Sequence, residues 1–527
     1  MKSIKLVPFI LATATASVGY ADLVEWSEMG GSGDYTTRVT LPKNTDTTSY
    51  KLVLTSAETT KQGAMYKTVG GTVAMIDSSA PATNGYDIQG DLAIDINSAE
   101  KGDVYAINNA NNILMWNIST VTIKNSQNNA DTYAVLDLGK KMSMRVNTSA
   151  SQTSKLVIET NTKMSGAELL FNDSNQGGFY VNAGIDVVST IANINVRDGN
   201  NFILGEGASM STASIRMGKD TNSASGSNKM TLNKNSTLIA SGAVDLYGTE
   251  LFIDEGAYLE TNGIALRSGT KTTVKGELNY TGTSLRTVYD ITVDGGTYKV
   301  LNMKDDNSLA VRLALRNSTL FTNNAEVHVK GGIWFAETAI INDASVKLYD
   351  YDADATGRVV LSKSAILTLN SKDIFTRYDS SMKEHLGWAD FELNGTGSIV
   401  YVNATNHFGS LKVAGNMNVT FSLSDDANVV LSFDSFDDSS TGRLIIENYS
   451  ENRVFVANES EFPTSLKVSA ITADGTTYSE SDLFFVAGIF EGVNGFWLNT
   501  TAVPEPAEWA AIFGALALGL AMYRRRK

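Results

Sequence analysis

The stretch LFIDEGAYLETNGIAL, residues 251–266, decides how this chain folds. Its apolar side chains fall at Ile253, Leu259, Ile264 and Leu266, at spacings of 6, 5 and 2. No helical face has that spacing, whereas Ile264-x-Leu266 has the period of two that points alternate strand side chains to one side. Asp254-Glu255-Gly256 and Asn262-Gly263 supply turn chemistry between the apolar positions. The segment therefore reads as three very short strands joined at corners. None of them buries enough apolar surface to hold its shape alone.

The pattern recurs. Ile158, Met164, Leu169 and Phe171 repeat the spacings, as do Leu204, Met210, Ile215 and Met217. Leu232, Leu238, Val244 and Leu246 give 6, 6 and 2, while Ile185, Ile191 and Val196, and again Val274, Tyr280 and Leu285, match three positions of four. Successive starts at 158, 185, 204, 232, 253 and 274 lie 19 to 28 residues apart. Two longer stretches look alike, NSTLIASGAVDLYG at Asn235–Gly248 and NSTLFTNNAEVHVKG at Asn317–Gly331. Repeats of this length are single structural units that bury a core only by stacking. The expected fold is all-β: a right-handed parallel β-helix, or solenoid, over residues 22–411, with aligned turn Asn and Ser forming ladders. A chain of antiparallel β-sandwiches is the alternative, because irregular spacings also accommodate hairpins.

The flanks extend the same texture. Residues 22–147 include YDIQGDLAIDIN and NILMWNISTVTIKN, with weaker periodicity and an expected cap near LVEWSEMGGSGDY. From about Val413 the alternation becomes cleaner, with acidic turns, and residues 412–502 read as a C-terminal β cap or small sandwich over the last coil. Composition agrees: 43 % apolar and 19 % charged residues, 44 Gly, 6 Pro, and polarity otherwise carried by Ser, Thr and Asn. A formal net charge of −15 without a basic stripe argues against nucleic-acid binding. The absence of cysteine removes disulfides, thiolate metal sites and thiol nucleophiles together.

Both ends depart from this texture. Lys2 and Lys5, the apolar run Leu6–Val18 and the small residues Gly19 and Ala21 form a secretory signal over residues 1–21. At the other end Pro504-Glu505-Pro506 leads into an uncharged run from Trp509 to Tyr523, followed by Arg524, Arg525, Arg526 and Lys527. As a helix the run is about 22 Å long at 1.5 Å per residue. That is short for a hydrocarbon core of about 30 Å, but Trp509 and Tyr523 suit the two interfaces as membrane-anchor flanks and the terminal cations suit a cytoplasmic stop-transfer. Signal and tail demand the same orientation, with the body outside the inner membrane.

Residues 503–527 resemble the PEP-CTERM sorting segment of Gram-negative bacterial surface proteins. The resemblance implies an exosortase that recognises Pro504, Glu505 and Pro506, a transient inner-membrane anchor, and delivery to the cell surface or to an extracellular polysaccharide matrix such as a biofilm. The body itself resembles the β-helical passengers of adhesin-like and autotransporter proteins, though no β-barrel translocator follows it.

Residues able to carry chemistry are sparse. His328 in EVHVKG alternates with two valines and reads as outward-facing, His407 in NATNHFGS reads as a turn residue, and His385 lies in a helix-like patch, SSMKEHLGW. Nothing in their spacing brings the three together. The acidic pairs Asp305-Asp306, Asp425-Asp426 and Asp437-Asp438 read as solvated turns. The alternating carboxylates Asp350, Asp352 and Asp354 have calcium-ligand chemistry but lack the spacing of a calcium loop. No catalytic residue, metal site or cofactor is expected. The functional expectation is an exported structural or adhesive protein that contacts polysaccharide, and the alternative is a polysaccharide lyase or hydrolase built on a groove of carboxylates.

Overall fold

The computed structural model describes residues 50–53 and 86–500, apart from 97, 109–112, 146–153, 173–176, 198, 219–227, 268, 284–285, 302–310, 351–356, 363 and 416. The expected signal, the cap near residues 23–35 and the whole sorting segment lie outside the described residues. Within them the chain is all-β, and its one helical element is a 3-10 turn at Glu480–Asp482. No described helix is long and apolar enough to cross a membrane.

The short strands pair in parallel with the corresponding strand of the following stretch of chain, and three ladders result. In the first, Ile123, Ile158, Val181, Leu204, Leu232, Ile253 and Val274 lie one above another. In the second, Met210, Leu238, Leu259, Leu278, Tyr298, Val327 and Val346 do so. The third stacks Phe171, Val196, Met217, Leu246 and Leu266. Every one of these side chains is 2 % exposed or less, and all belong to one continuous core. Burial alternates strictly along many of the strands, as in Asn201–Leu204 and Lys155–Ile158, which is the period read at Ile264-x-Leu266.

The repeat is thus real where it is most regular. All four positions stack from the row beginning at Leu204 through Leu232 to Ile253. Elsewhere the apolar spacing misleads. Val181, not Ile185, stands opposite Ile158; Ser189, not Ile191, stands opposite Met164; and Ile194, not Val196, stands opposite Leu169, with Val196 opposite Phe171. Ile191 is buried just before its strand and Ile185 is half-buried just before another, so apolarity alone does not distinguish a strand position from its approach. Leu278 rather than Tyr280 is opposite Leu259, and Leu285 lies outside the described residues. The two NSTL stretches also occupy different ladders. Leu238 belongs to the second ladder, whereas Leu320 precedes Phe321, which pairs with Val293 in the first. What they share is an asparagine in the left-handed region, Asn235 at φ 58° and Asn317 at φ 57°.

Turn residues tie neighbouring levels together. The side-chain amide of Asn403 donates to Asn370 at 2.7 Å, that of Asn262 to the Ser241 carbonyl at 3.0 Å, and that of Asn161 to the Ala130 carbonyl at 2.7 Å. Gly178 shows how closely levels approach: at φ 116° a Cβ there would lie 1.9 Å from the carbonyl oxygen of its ladder partner Asn201.

Parallel pairing continues past residue 412. Val402 pairs with Leu423, Phe421 with Ile446 and Ile446 with Ala470. Among the described residues after 412, pairing is antiparallel only between Lys467–Thr472 and Thr477–Ser479, and between Phe484–Phe490, Val493–Asn499 and the strand Val454–Val456. The cleaner alternation after Val413 therefore belongs to the same ladders. The helix-like patch is corrected too. His385–Trp388 is a strand running antiparallel to Phe375–Tyr378, because the Asp379 carboxylate accepts the backbone N–H groups of Lys383 and Glu384 at 2.8 and 2.9 Å and closes a turn.

Candidate functional site

The hairpin formed by Phe375–Tyr378 and His385–Trp388 organises a cluster in which ionisable and aromatic side chains converge. Ahead of it, Lys372 and Asp373 lie in the preceding bend, and Asp373 adopts φ 53°. His407 follows on the strand Asn406–Val413, where Phe408 points into the core and His407 consequently points out. The expectation that His407 is a turn residue is overturned: it pairs with Ser432 in a ladder and is only 9 % exposed.

Its ring is sandwiched. Trp388 stacks on it at 4.9 Å and 17°, and Phe490 at 5.3 Å and 21°. Around the edge, Nδ1 lies 2.6 Å from Asp373 Oδ1, so Nδ1 carries the proton it donates to that carboxylate. Nε2 lies 3.7 Å from Glu491 Oε2, too long for a hydrogen bond. The other Glu491 oxygen accepts from Lys372 Nζ at 2.8 Å, and Lys372 is 3.7 Å from Asp373. Lys372 holds its proton more firmly through that hydrogen bond to Glu491.

The three histidines, scattered in sequence, lie along one run of rings. His328 stacks on Tyr349 at 5.9 Å, Tyr349 lies 5.3 Å from Tyr378, and Tyr378 lies 5.3 Å from His385. His385 then meets Trp388 at 6.1 Å, which leads to His407 and Phe490. His328 is outward-facing as expected from its valine neighbours, which are fully buried. It is bracketed by the Tyr349 hydroxyl at 2.7 Å and Glu326 at 3.1 Å. Desolvation lowers the His328 pKa against the opposing pull of Glu326, and desolvation pushes the Tyr349 hydroxyl up to about 12.

Asp373, His407 and Glu491 offer donor atoms within 4.8 Å of one another, a set with the chemistry for a divalent cation. Lys372 already neutralises Glu491, however, and His407 donates to Asp373. With both faces of the imidazole covered, the arrangement acts as a clamp. It joins the tip of the final hairpin, Phe490 and Glu491, to the body at Lys372, Asp373, Trp388 and His407. Glu491 sits at φ 47°, in the tight turn that presents it.

The other sequence candidates are dispersed. Asp350 is 6 % exposed and engaged bidentately by Arg377 at 2.8 and 2.8 Å while accepting the Gly357 N–H at 2.7 Å, so it is a structural anion and not a free calcium ligand. Asp352, Asp354, Asp305 and Asp306 lie outside the described residues. Asp426 caps its own turn through Asn428, and Asp437 does so through Ser439, as expected of turn acids. A separate concavity near the last parallel levels is lined by Asn418, Arg443, Lys467, Ser479 and Glu480, with Arg443 and Lys467 in ladder register. Pro504, Glu505, Pro506, Trp509, Tyr523, Arg524, Arg525, Arg526 and Lys527 all lie outside the described residues. Sequence reasoning missed the Lys372–Asp373–Trp388–His407–Glu491 cluster because its members are joined by level-to-level stacking. The adjacent Lys-Asp pair and a histidine alternating with phenylalanine were its only local signals. Comparison of the chain with protein families, with curated proteins and with solved structures gave no match.

Proposed function

We propose that this chain is an exported bacterial surface or extracellular-matrix protein with a structural or adhesive, non-enzymatic role. In this reading its body is a right-handed parallel β-helix that presents polar outer rows to extracellular polysaccharide. The observation that carries the reading is the run of parallel ladders from Tyr50 to Thr472. Parallel crossovers within a sheet are almost always right-handed, which supports the handedness. The level-to-level bonding of the outer surface supports a scaffold: Lys229 pairs with Glu250 at 3.3 Å and Lys234 with Glu255 at 3.1 Å. The mutual neutralisation within the His407 clamp favours this role over hydrolysis or lysis of polysaccharide.

Routing rests on the C-terminal sequence. An exosortase-type enzyme would recognise Pro504-Glu505-Pro506, with Trp509–Tyr523 holding the chain transiently in the inner membrane and Arg524–Lys527 remaining cytoplasmic. Replacing Pro504, Glu505 and Pro506 by Ala in the native host should leave an uncleaved, membrane-retained form. Recovery of surface-located wild-type protein that still carries Arg524–Lys527 would sink the routing.

A further inference from the structure

The strand Phe484–Phe490, with sequence FFVAGIF, is wholly apolar and seven residues long. It carries no charge and no proline, yet none of its residues is buried. Phe484 is 41 % and Ile489 64 % exposed. Among the described residues it pairs only with Val493–Asn499, so its second edge meets no described strand. Sheet edges are ordinarily blunted by a lysine, a proline or a bulge, because bare N–H and C=O groups recruit another strand. This edge has none of those devices, and its composition is that of a segment that pairs avidly.

The occupant is indicated by the strand's own symmetry. Read from either end about Ala487, FFVAGIF is nearly the same: Phe484 answers Phe490, Phe485 answers Ile489, and Val486 answers Gly488. Opposed antiparallel residues share a face, so the two outer pairs become an aromatic–aromatic and an aromatic–aliphatic cross-strand contact. We infer that a second copy of this chain adds to this edge, strand 484–490 against strand 484–490, across a twofold axis at Ala487. Such an interface is self-complementary and closes as a dimer. The acids that bracket the strand do not oppose it. In this register Glu491 faces Leu483 of the second copy, while its carboxylate is held by Lys372; the Asp482 carboxylate is held by Ser479. Gly488 has no room for a side chain, since a Cβ there would lie 2.4 Å from the Trp497 ring that supports the strand from the body side.

The absence of native cysteine makes the test direct. Opposed Cα atoms in an antiparallel pair lie about 4.5–5.5 Å apart, within disulfide reach. In the full chain, solubilised in non-ionic detergent, Ala487→Cys should oxidise to a disulfide dimer at least tenfold faster than Tyr401→Cys, an exposed strand position on a paired ladder. Ile489→Lys, at an exposed site that leaves the fold unchanged by circular dichroism, should weaken the dimer at least tenfold in sedimentation. Equal oxidation rates for the two introduced thiols would overturn the proposal. So would a monomeric Ala487→Cys variant whose thiol is protected from maleimide, because another segment of the same chain would then cover the edge.

Discussion

At the scale of single residues, the half-buried Asp434 faces the His407 clamp from the strand Leu431–Phe436. Loss of hydration raises its carboxyl above the usual carboxylate range; His407 opposes the rise and Asp390 reinforces it. The folded state therefore favours the protonated form, and stability present below about pH 4 is given up as pH rises through the raised value. Asp434→Asn should make the chain more stable at pH 7 and leave it unchanged near pH 3, read as the shift in urea midpoint between the two pH values. A gain at both would assign the effect to packing instead. In the sequence Asp434 is simply an acid near the Asp437-Asp438 pair, and its desolvation arises only when the strand places it beside the next level.

The strand is where the sequence speaks most clearly and also where it misleads. Period-two alternation identified inward residues such as Ile253, Ile264 and Leu266, all fully or almost fully buried. It did not give register, because Ile185 and Ile191 are apolar residues at corners and Tyr280 is buried two places from the position that stacks. Register depends on backbone pairing across levels, which local spacing constrains only loosely. The inward phenylalanines show what correct register contributes. Phe408 touches Phe391 at 4.6 Å, Phe433 at 5.9 Å and Phe375 at 6.4 Å. Phe408→Ala should cost about 3–5 kcal/mol, whereas Tyr401→Ala, outward on its strand, should stay within about 0.5 kcal/mol. Thermal melts of the two variants would check this; similar losses would mean that the ring stack is not the core of these levels.

For the whole molecule, each strand of the parallel ladders pairs through its backbone with the strands before and after it, so within the ladders folding proceeds by nearest-neighbour steps, and longer-range ties such as Lys372–Glu491 are the exception. Leu259→Ala, in the middle of the second ladder, should therefore loosen amide protection over neighbouring levels while strands near Val454–Val456 keep theirs. Uniform loss in hydrogen exchange along the chain would contradict the nearest-neighbour picture. The broad class was readable because composition, missing cysteines and short strands all point to stacked β-structure. The limits of the parallel region were not, because the strands after Val413 alternate whether their partners run parallel or antiparallel.

The first ladder works as a ruler. Successive strands in it are set by backbone hydrogen bonds at about 4.7–4.9 Å, and the pairing runs from Tyr50–Val53 to Lys467–Thr472. The far end of the body consequently stands on the order of 75 Å from the end nearest the C-terminus. Duplicating one set of ladder strands would lengthen that reach by one fixed increment while the same parallel pairing continues on either side. Length can thus be adjusted in whole steps, with no need to invent a new core.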